Sequence, residues 1–186
     1  MVGTIIMDNL NGNEQFDYEF TRCLVKTNED ESPQQDFDYV DRVTGGTNIL
    51  LYGVPGSGKS WTIEHEYCNE DSIVERLVFH PDYTNADFVG QILPVVDEDK
   101  QVTYEFTPGP FTTILSNAYR NPMSKYILII EEINRGNAPA IFGEVFQLLD
   151  RKVEMQDGDD RFPVGTSEYG ITHKYMAEFI YGKPSH

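Results

Sequence analysis

The chain is predicted to adopt an α/β fold of three layers, a parallel sheet with helices on both faces. Three observations predict it. From Thr47 onward, apolar strand-like runs alternate with helix-like segments. A glycine-rich turn, Gly53-Val54-Pro55-Gly56-Ser57-Gly58-Lys59-Ser60, joins the first of these strands to the first helix. Tyr126 to Ile130 is the most apolar run in the chain, as a strand buried on both faces should be, and it ends on Glu131 and Glu132.

The elements follow in order. Thr47 to Tyr52 reads as a short buried strand, and Trp61 to Cys68 as the helix after the turn. Arg76-Leu77-Val78-Phe79-His80 is a second strand. Thr84 followed by Asp87 has the pattern of an N-cap pair and opens a helix running to about Leu93. Between Val95 and Phe106, two strand-like stretches flank Asp97-Glu98-Asp99-Lys100 as a hairpin insertion. Pro110 suits the first position of a helix that reaches about Arg120. Asn137 as N-cap and Pro139 in the first turn open another helix, with Ile141, Phe142, Val145, Phe146, Leu148 and Leu149 at helical spacing. Beyond Arg151 a second hairpin-like region surrounds Asp157-Gly158-Asp159-Asp160, and the tail from Gly165 to His186 is mixed.

Residues 1–45 read as an acidic N-terminal segment ahead of a nucleotide-binding core at 46–186. The segment has a turn at Asn9 to Asn13 and an exposed loop from Asn28 to Gln35. Its apolar side chains, Ile5, Phe16, Tyr18, Phe20, Leu24 and Val25, suffice for one or two packed elements.

The turn matches GxxxxGK[ST] at every required position, which implies binding of a nucleoside triphosphate. Glycines let the backbone wrap a phosphate, and the amides of the loop and helix start point at the anion. Gly53, Pro55, Gly56, Ser57, Gly58, Lys59, Ser60 and Trp61 are the candidate nucleotide-binding residues. Lys59 would reach the outer phosphates, and the Ser60 hydroxyl would ligate Mg²⁺. A plain Gly/Pro turn is the alternative, and the complete spacing argues against it. A strand ending in acids is the partner feature of such a loop. Glu131 would hold Mg²⁺ directly or through a water, and Glu132 would orient or deprotonate the attacking water.

Ile130-Glu131-Glu132-Ile133-Asn134-Arg135-Gly136-Asn137, followed by Phe142-Gly143-Glu144-Val145, resembles the AAA+ GTPases of the McrB type, motor subunits of modification-dependent restriction systems. MoxR-type ATPases, with chaperone-like roles, share the Asn-Arg after the acids. Phe79-His80-Pro81-Asp82-Tyr83 with Asp87-Phe88-Val89-Gly90 is similar to the FHxxY pattern of the McrB type and its short DF-containing helix. The resemblance runs from about Asn48 to Arg151. It implies a P-loop NTPase fold of the AAA+ type, a homo-oligomeric ring, a nuclease subunit as partner, and Asn134 and Arg135 as interface or sensor residues. It also implies GTP, although no guanine-reading motif is visible, so GTP and ATP both stay open. A nucleotide-binding assembly switch with little turnover is an alternative, and so is a small-molecule phosphotransferase, against which the acid pair argues.

Two departures stand out. Glu131 occupies the position where the family has Asp, and Mg²⁺ demands near-ideal octahedral geometry. No counterpart of the family's sensor strand, its trans-acting arginines or its helical lid occurs before His186. The fold is therefore expected to be incomplete, with a gap between the phosphate-loop strand and the acid-bearing strand where the sensor strand would lie.

The 31 acidic residues against 14 basic give a net charge of −17, which repels nucleic acid and argues against direct DNA or RNA binding by this segment. No apolar run is long enough to span a membrane, and the first residues lack a basic-then-apolar signal pattern, so a cytoplasmic protein is expected. Cys23 and Cys68 have no CxxC spacing and read as reduced thiols. His65, Glu66 and Cys68 share one helix without HExxH spacing, so a metal site there is not expected. His80 before Pro81 reads as a strand-end residue, and Trp61 either packs near the base or fills core.

Overall fold

The computed structural model describes residues 2–8 (main chain), 43, 45–96, 100–154 and 164–182. Strands β1 (Val2–Asp8), β2 (Asn48–Gly53), β3 (Ile73–Val78) and β6 (Tyr126–Glu131) form one sheet in the order β2-β1-β6-β3. Strands β4 (Gly90–Val96) and β5 (Val102–Pro108) form a separate antiparallel hairpin. The helices are α1 (Lys59–Thr62, continuing as a wider π-type turn through Ile63–Tyr67), α2 (Asn85–Phe88), α3 (Pro110–Arg120), α4 (Ala138–Phe142) and α5 (Lys174–Tyr181).

Strand β6 organises the layers. Its side chains alternate between two cores because successive residues in a strand point to opposite faces. Tyr126, Leu128 and Ile130 enter the larger core with Leu77, Phe79, Phe88, Phe111, Phe142 and Met176. Ile127 and Ile129 enter the smaller one with Ile63 of the α1 segment, against which Ile49 and Leu51 also pack. This is the expected three-layer α/β arrangement. The larger core is aromatic at its centre: Phe88 stacks on Phe111 at 5.2 Å, and Phe79 meets Phe88 and Phe142 edge-on, each at 6.0 Å.

Strands β3 and β6 are parallel, as expected. The expected gap between the phosphate-loop strand and the acid-bearing strand is absent, because β1 lies there and pairs antiparallel with both. Backbone hydrogen bonding explains the insertion, since two facing strand edges need a ladder partner and Val2–Asp8 supplies it. Ile5 pairs with Leu50 on one side and Ile130 on the other. Strands β2 and β6 are thus level, parallel to each other, and separated by two strand spacings, roughly 10 Å.

Several boundaries differ from the sequence expectation. Helix α2 carries the expected cap pair but stops at Phe88 instead of about Leu93, because Gly90 to Val96 pairs with Val102 to Pro108 and a ladder replaces the helix. Strand β3 starts at Ile73, three residues ahead of the expected Arg76, and ends at Val78. The helix opened by Asn137 breaks at Gly143, and Gly143–Leu149 continues as a tighter 3-10 helix that still buries Val145 and Leu148. The mixed tail contains α5, which buries Met176, Ala177 and Ile180. Residues Asp150 to Lys152 pair with Gly165 to Glu168 through backbone hydrogen bonds of 2.7–2.9 Å. The Asn9 turn, the Asn28 loop, Cys23, the side chains of Ile5, Phe16, Tyr18, Phe20, Leu24 and Val25, the Asp97 to Asp99 turn and the Asp157 to Asp160 turn lie outside the described residues.

Two buried hydroxyls on α3 differ in their satisfaction. Thr112 Oγ1 donates to the Val89 carbonyl at 2.5 Å, whereas Ser116 Oγ has no partner among the described residues. Ser116→Ala is therefore expected to raise stability by about 1 kcal/mol, and Thr112→Val to lower it by about the same amount. Urea unfolding of the two variants checks the opposite signs.

At α2, the Thr84 amide and hydroxyl donate to Asp87 Oδ2 at 2.9 and 2.7 Å, and Thr84 Oγ1 accepts from the Asp87 amide. The Thr84 side chain first, then its backbone, holds the Asp87 carboxyl below its ordinary value. A depressed value stabilises the fold above the unfolded carboxyl range and ceases to do so as pH falls through the folded value. Thr84→Ala should cost about 1 kcal/mol at neutral pH. That difference should shrink below about pH 4, which denaturant melts across the acid range would read directly.

Candidate functional site

The phosphate loop leaves the end of β2. Gly56 and Gly58 have φ of 79° and 84°, in the left-handed region that side chains with a Cβ adopt poorly. A Cβ at either would meet nothing within 4 Å, so backbone conformation, not space, requires glycine there. The Ser57 amide donates to the Val54 carbonyl at 3.2 Å, closing the turn, and Gly58 is the N-cap of α1. Lys59 folds back over the loop, where its ammonium donates to the Gly53 and Val54 carbonyls at 3.1 and 3.0 Å and to Ser57 Oγ at 3.4 Å. The cation thus sits against the loop itself, with half-buried Lys59 flanked by exposed Gly58 and Ser60. Pro55 and Ser57 are exposed in the same loop.

Trp61 does not fill core. It is 59 % exposed and stacks on His65, one turn further along, with ring centroids 4.3 Å apart. At the base of β2, the Asn48 amide donates to the Leu149 carbonyl and its oxygen accepts from Arg151 Nε at 3.1 Å. These contacts tie the strand that carries the loop to the segment after α4.

The two acids sit at the other half of the same sheet edge. Since Leu50 and Ile130 are level across β1, Gly53 and the pair Glu131–Glu132 all leave the sheet at one end. Glu131 is half-buried, and its Oε1 accepts from Arg76 Nη1 at 2.6 Å. The second nitrogen of that guanidinium lies 3.5 Å from Glu64 Oε1 on the α1 segment. Glu132 has φ 54° and ψ 36°, an uncommon conformation for a residue with a Cβ. This bend lets Ile133–Arg135 turn back as a short 3-10 helix, and Arg135 Nε pairs with Glu132 Oε2 at 3.0 Å. Asn134 is exposed on that turn, and the Arg135 side chain is 66 % exposed.

The FHxxY segment is largely structural. Phe79 is fully buried and stacks on Tyr83 at 5.1 Å, while His80 meets the Tyr83 ring edge-on at 5.4 Å. Burial raises the Tyr83 hydroxyl above its ordinary value, with the Asp87 and Glu75 charges adding to the effect. The structure therefore brings Lys59, Ser60, Glu131 and Glu132 to one edge and leaves Trp61 facing outward. Sequence reading missed Arg76 and Glu64. Within β3, Arg76 follows Glu75 and gives no local signal, because its partners lie on other elements.

Among the described residues, no group of three or more His, Cys, Asp or Glu gathers to hold a metal unaided, and no helix is long and apolar enough to cross a membrane. The chain is 36 % identical over 142 residues to the YdiS component of the type II restriction enzyme BsuMI of Bacillus subtilis (strain 168), covering 63 % of this chain and 40 % of that protein. It is 30 % identical over 145 residues to the EcoKMcrB subunit of the type IV methyl-directed restriction enzyme of Escherichia coli (strain K12), covering 75 % of this chain and 30 % of the subunit. The chain spans less than half the length of either relative. A family model described as the AAA domain of the dynein-related subfamily matches residues 48–176, which take in the phosphate loop, the acid pair and the start of α5. With that match over more than half its length, the chain belongs to the AAA domain family, in the dynein-related subfamily.

Proposed function

We propose that the chain binds a nucleoside triphosphate, GTP or ATP, together with Mg²⁺, and hydrolyses it as a subunit of a motor in a DNA restriction system. The observation that carries this reading is the delivery of the phosphate loop and two carboxylates to one edge of the sheet. Both relatives are named as parts of restriction enzymes, which supports the setting. The Ser60 hydroxyl and the Glu131 carboxylate are hard oxygen donors of the kind Mg²⁺ takes and would hold it together with the bound nucleotide. When bound, the ion would offset the negative charge of the phosphates.

The remaining chemistry belongs to the chain's own residues. Lys59 exchanges the Gly53 and Val54 carbonyls for the outer phosphates, and the loop amides hold the phosphate oxygens. Glu132 leaves Arg135 and accepts a proton from the attacking water. The water oxygen bonds to the γ-phosphorus as the bond to the β–γ bridging oxygen breaks. Exposed Asn134 and Arg135 face outward as sensor or interface residues of a homo-oligomeric ring, in which a nuclease subunit is the further partner. The net charge of −17 leaves DNA contact to other parts of the assembly.

A second reading, an assembly switch with little turnover, is favoured by one feature. Both carboxylates are engaged by arginines, Glu131 by Arg76 and Glu132 by Arg135. Binding of fluorescent GTP and ATP analogues should weaken at least about tenfold in Lys59→Ala, the loss expected for a charged hydrogen-bonding partner. Glu132→Gln should keep binding and lower hydrolysis by about 10² or more. Little turnover in the unmodified chain, unchanged in Glu132→Gln while binding persists, would instead establish the switch.

A further inference from the structure

We propose that Arg76 is a positioning residue for Glu131, fixing the carboxylate assigned to Mg²⁺ and tying it to the phosphate-loop helix through Glu64. This rests on the nucleotide and Mg²⁺ reading above and goes beyond it by naming what sets the geometry of the metal-holding acid.

The placement follows from strand register. Arg76 on β3 is level with Ile129 on β6, and paired residues of neighbouring strands share a face. Ile129 points into the smaller core beside α1, and Glu131, two residues on, leaves the sheet on that face. Arg76 is thus the strand residue from which a long cationic side chain reaches both the end of β6 and the helix above it. The observed contacts do so: one nitrogen is 2.6 Å from Glu131 Oε1, and the other is 3.5 Å from Glu64 Oε1. A single guanidinium therefore spans two elements that arrive separately at the site. Its planar fork suits this, because two nitrogens on one rigid group fix the relative placement of two carboxylates.

The length of Glu131 gives this clamp its purpose. A glutamate has one more rotatable bond than an aspartate, so an untethered carboxylate at a strand end samples several rotamers. Mg²⁺ tolerates little deviation from an octahedron. Arg76 occupies Oε1, and Oε2 takes no partner among the described residues. The carboxylate is thereby held at one oxygen and left open at the other. The pair is half-exposed, at 38 % and 29 % of the side-chain surfaces, so it adds little to folding stability. Its loss should change metal geometry without unfolding the chain.

The experiment titrates Mg²⁺ into the 186-residue chain with a fluorescent triphosphate analogue, reading anisotropy alongside a metal-free baseline. Arg76→Gln should raise the half-saturating Mg²⁺ concentration by about tenfold, the lower end of the range for partners of metal-ligating side chains. Metal-free nucleotide affinity and the thermal midpoint should stay essentially unchanged. Arg76→Lys should fall between, since an ammonium keeps the charge without the fork. In a Glu131→Asp background the acid is one methylene short of the guanidinium. Arg76→Gln should there have no further effect, so the two changes are non-additive. An unchanged or lowered Mg²⁺ requirement in Arg76→Gln, or additive effects in the cycle, would overturn the proposal. Lys59-independent nucleotide binding by the unmodified chain would instead overturn the underlying reading, and it is seen before any Arg76 variant is compared.

Discussion

Strand β6 has no solvent side: Tyr126, Leu128 and Ile130 enter one core while Ile127 and Ile129 enter the other. A strand buried on both faces must be apolar throughout, and its first polar residue marks where it meets solvent. Here that residue is Glu131, and the carboxylates appear where the buried run ends. The position of the acids is thus fixed by packing on five consecutive residues instead of by a loop. The aromatic cluster of Phe79, Phe88, Phe111 and Phe142 fills the larger side, and Ile63 of the α1 segment closes the smaller. The α1 segment is therefore seated by the same strand that positions the acids.

Charge at the site is arranged around a conflict. Glu64 and Glu131 share Arg76, and Glu132 follows Glu131 at the sheet end that also carries the phosphate loop, in a chain of net charge −17. Arg76 and Arg135 each neutralise one of the two strand-end acids, and Lys59 lies against the loop carbonyls. Every cation in this set already has a protein partner, so a ligand exchanges contacts instead of filling empty ones. The left-handed Glu132 adds backbone strain at the same point, of the kind that persists when the surrounding packing over-determines it.

Features with local signals were legible in the sequence. The phosphate loop, β6, α3 with Pro110 at its first position, and the Thr84–Asp87 cap all rest on neighbouring residues, and the structure has each of them. Strand β1 was not legible, because its partners are Asn48 to Gly53 and Ile127 to Ile130, and no short-range pattern encodes such distant pairing. The early end of α2 was missed for a related reason, since the ladder from Gly90 to Val96 overrides local helical preference. Helix α5 did carry a readable pattern, with Met176, Ala177 and Ile180 at helical spacing. At the site, residue types and spacing gave Lys59, Ser60, Glu131 and Glu132. Arg76 and Glu64 become visible only when β3, β6 and α1 are brought together.

The direction of β1 has a practical side. Antiparallel pairing sets Val2 opposite Gly53, the residue from which the phosphate loop departs. Any polypeptide joined ahead of Val2 would therefore emerge at the mouth of the loop instead of at a remote corner. A bulky affinity tag or fluorescent fusion attached there would crowd the entrance and could mimic a loss of ligand affinity. The same tag beyond α5 starts from a helix on the larger-core side of the sheet, away from α1 and its loop. Labelling strategy is in this way dictated by the polarity of one inserted strand.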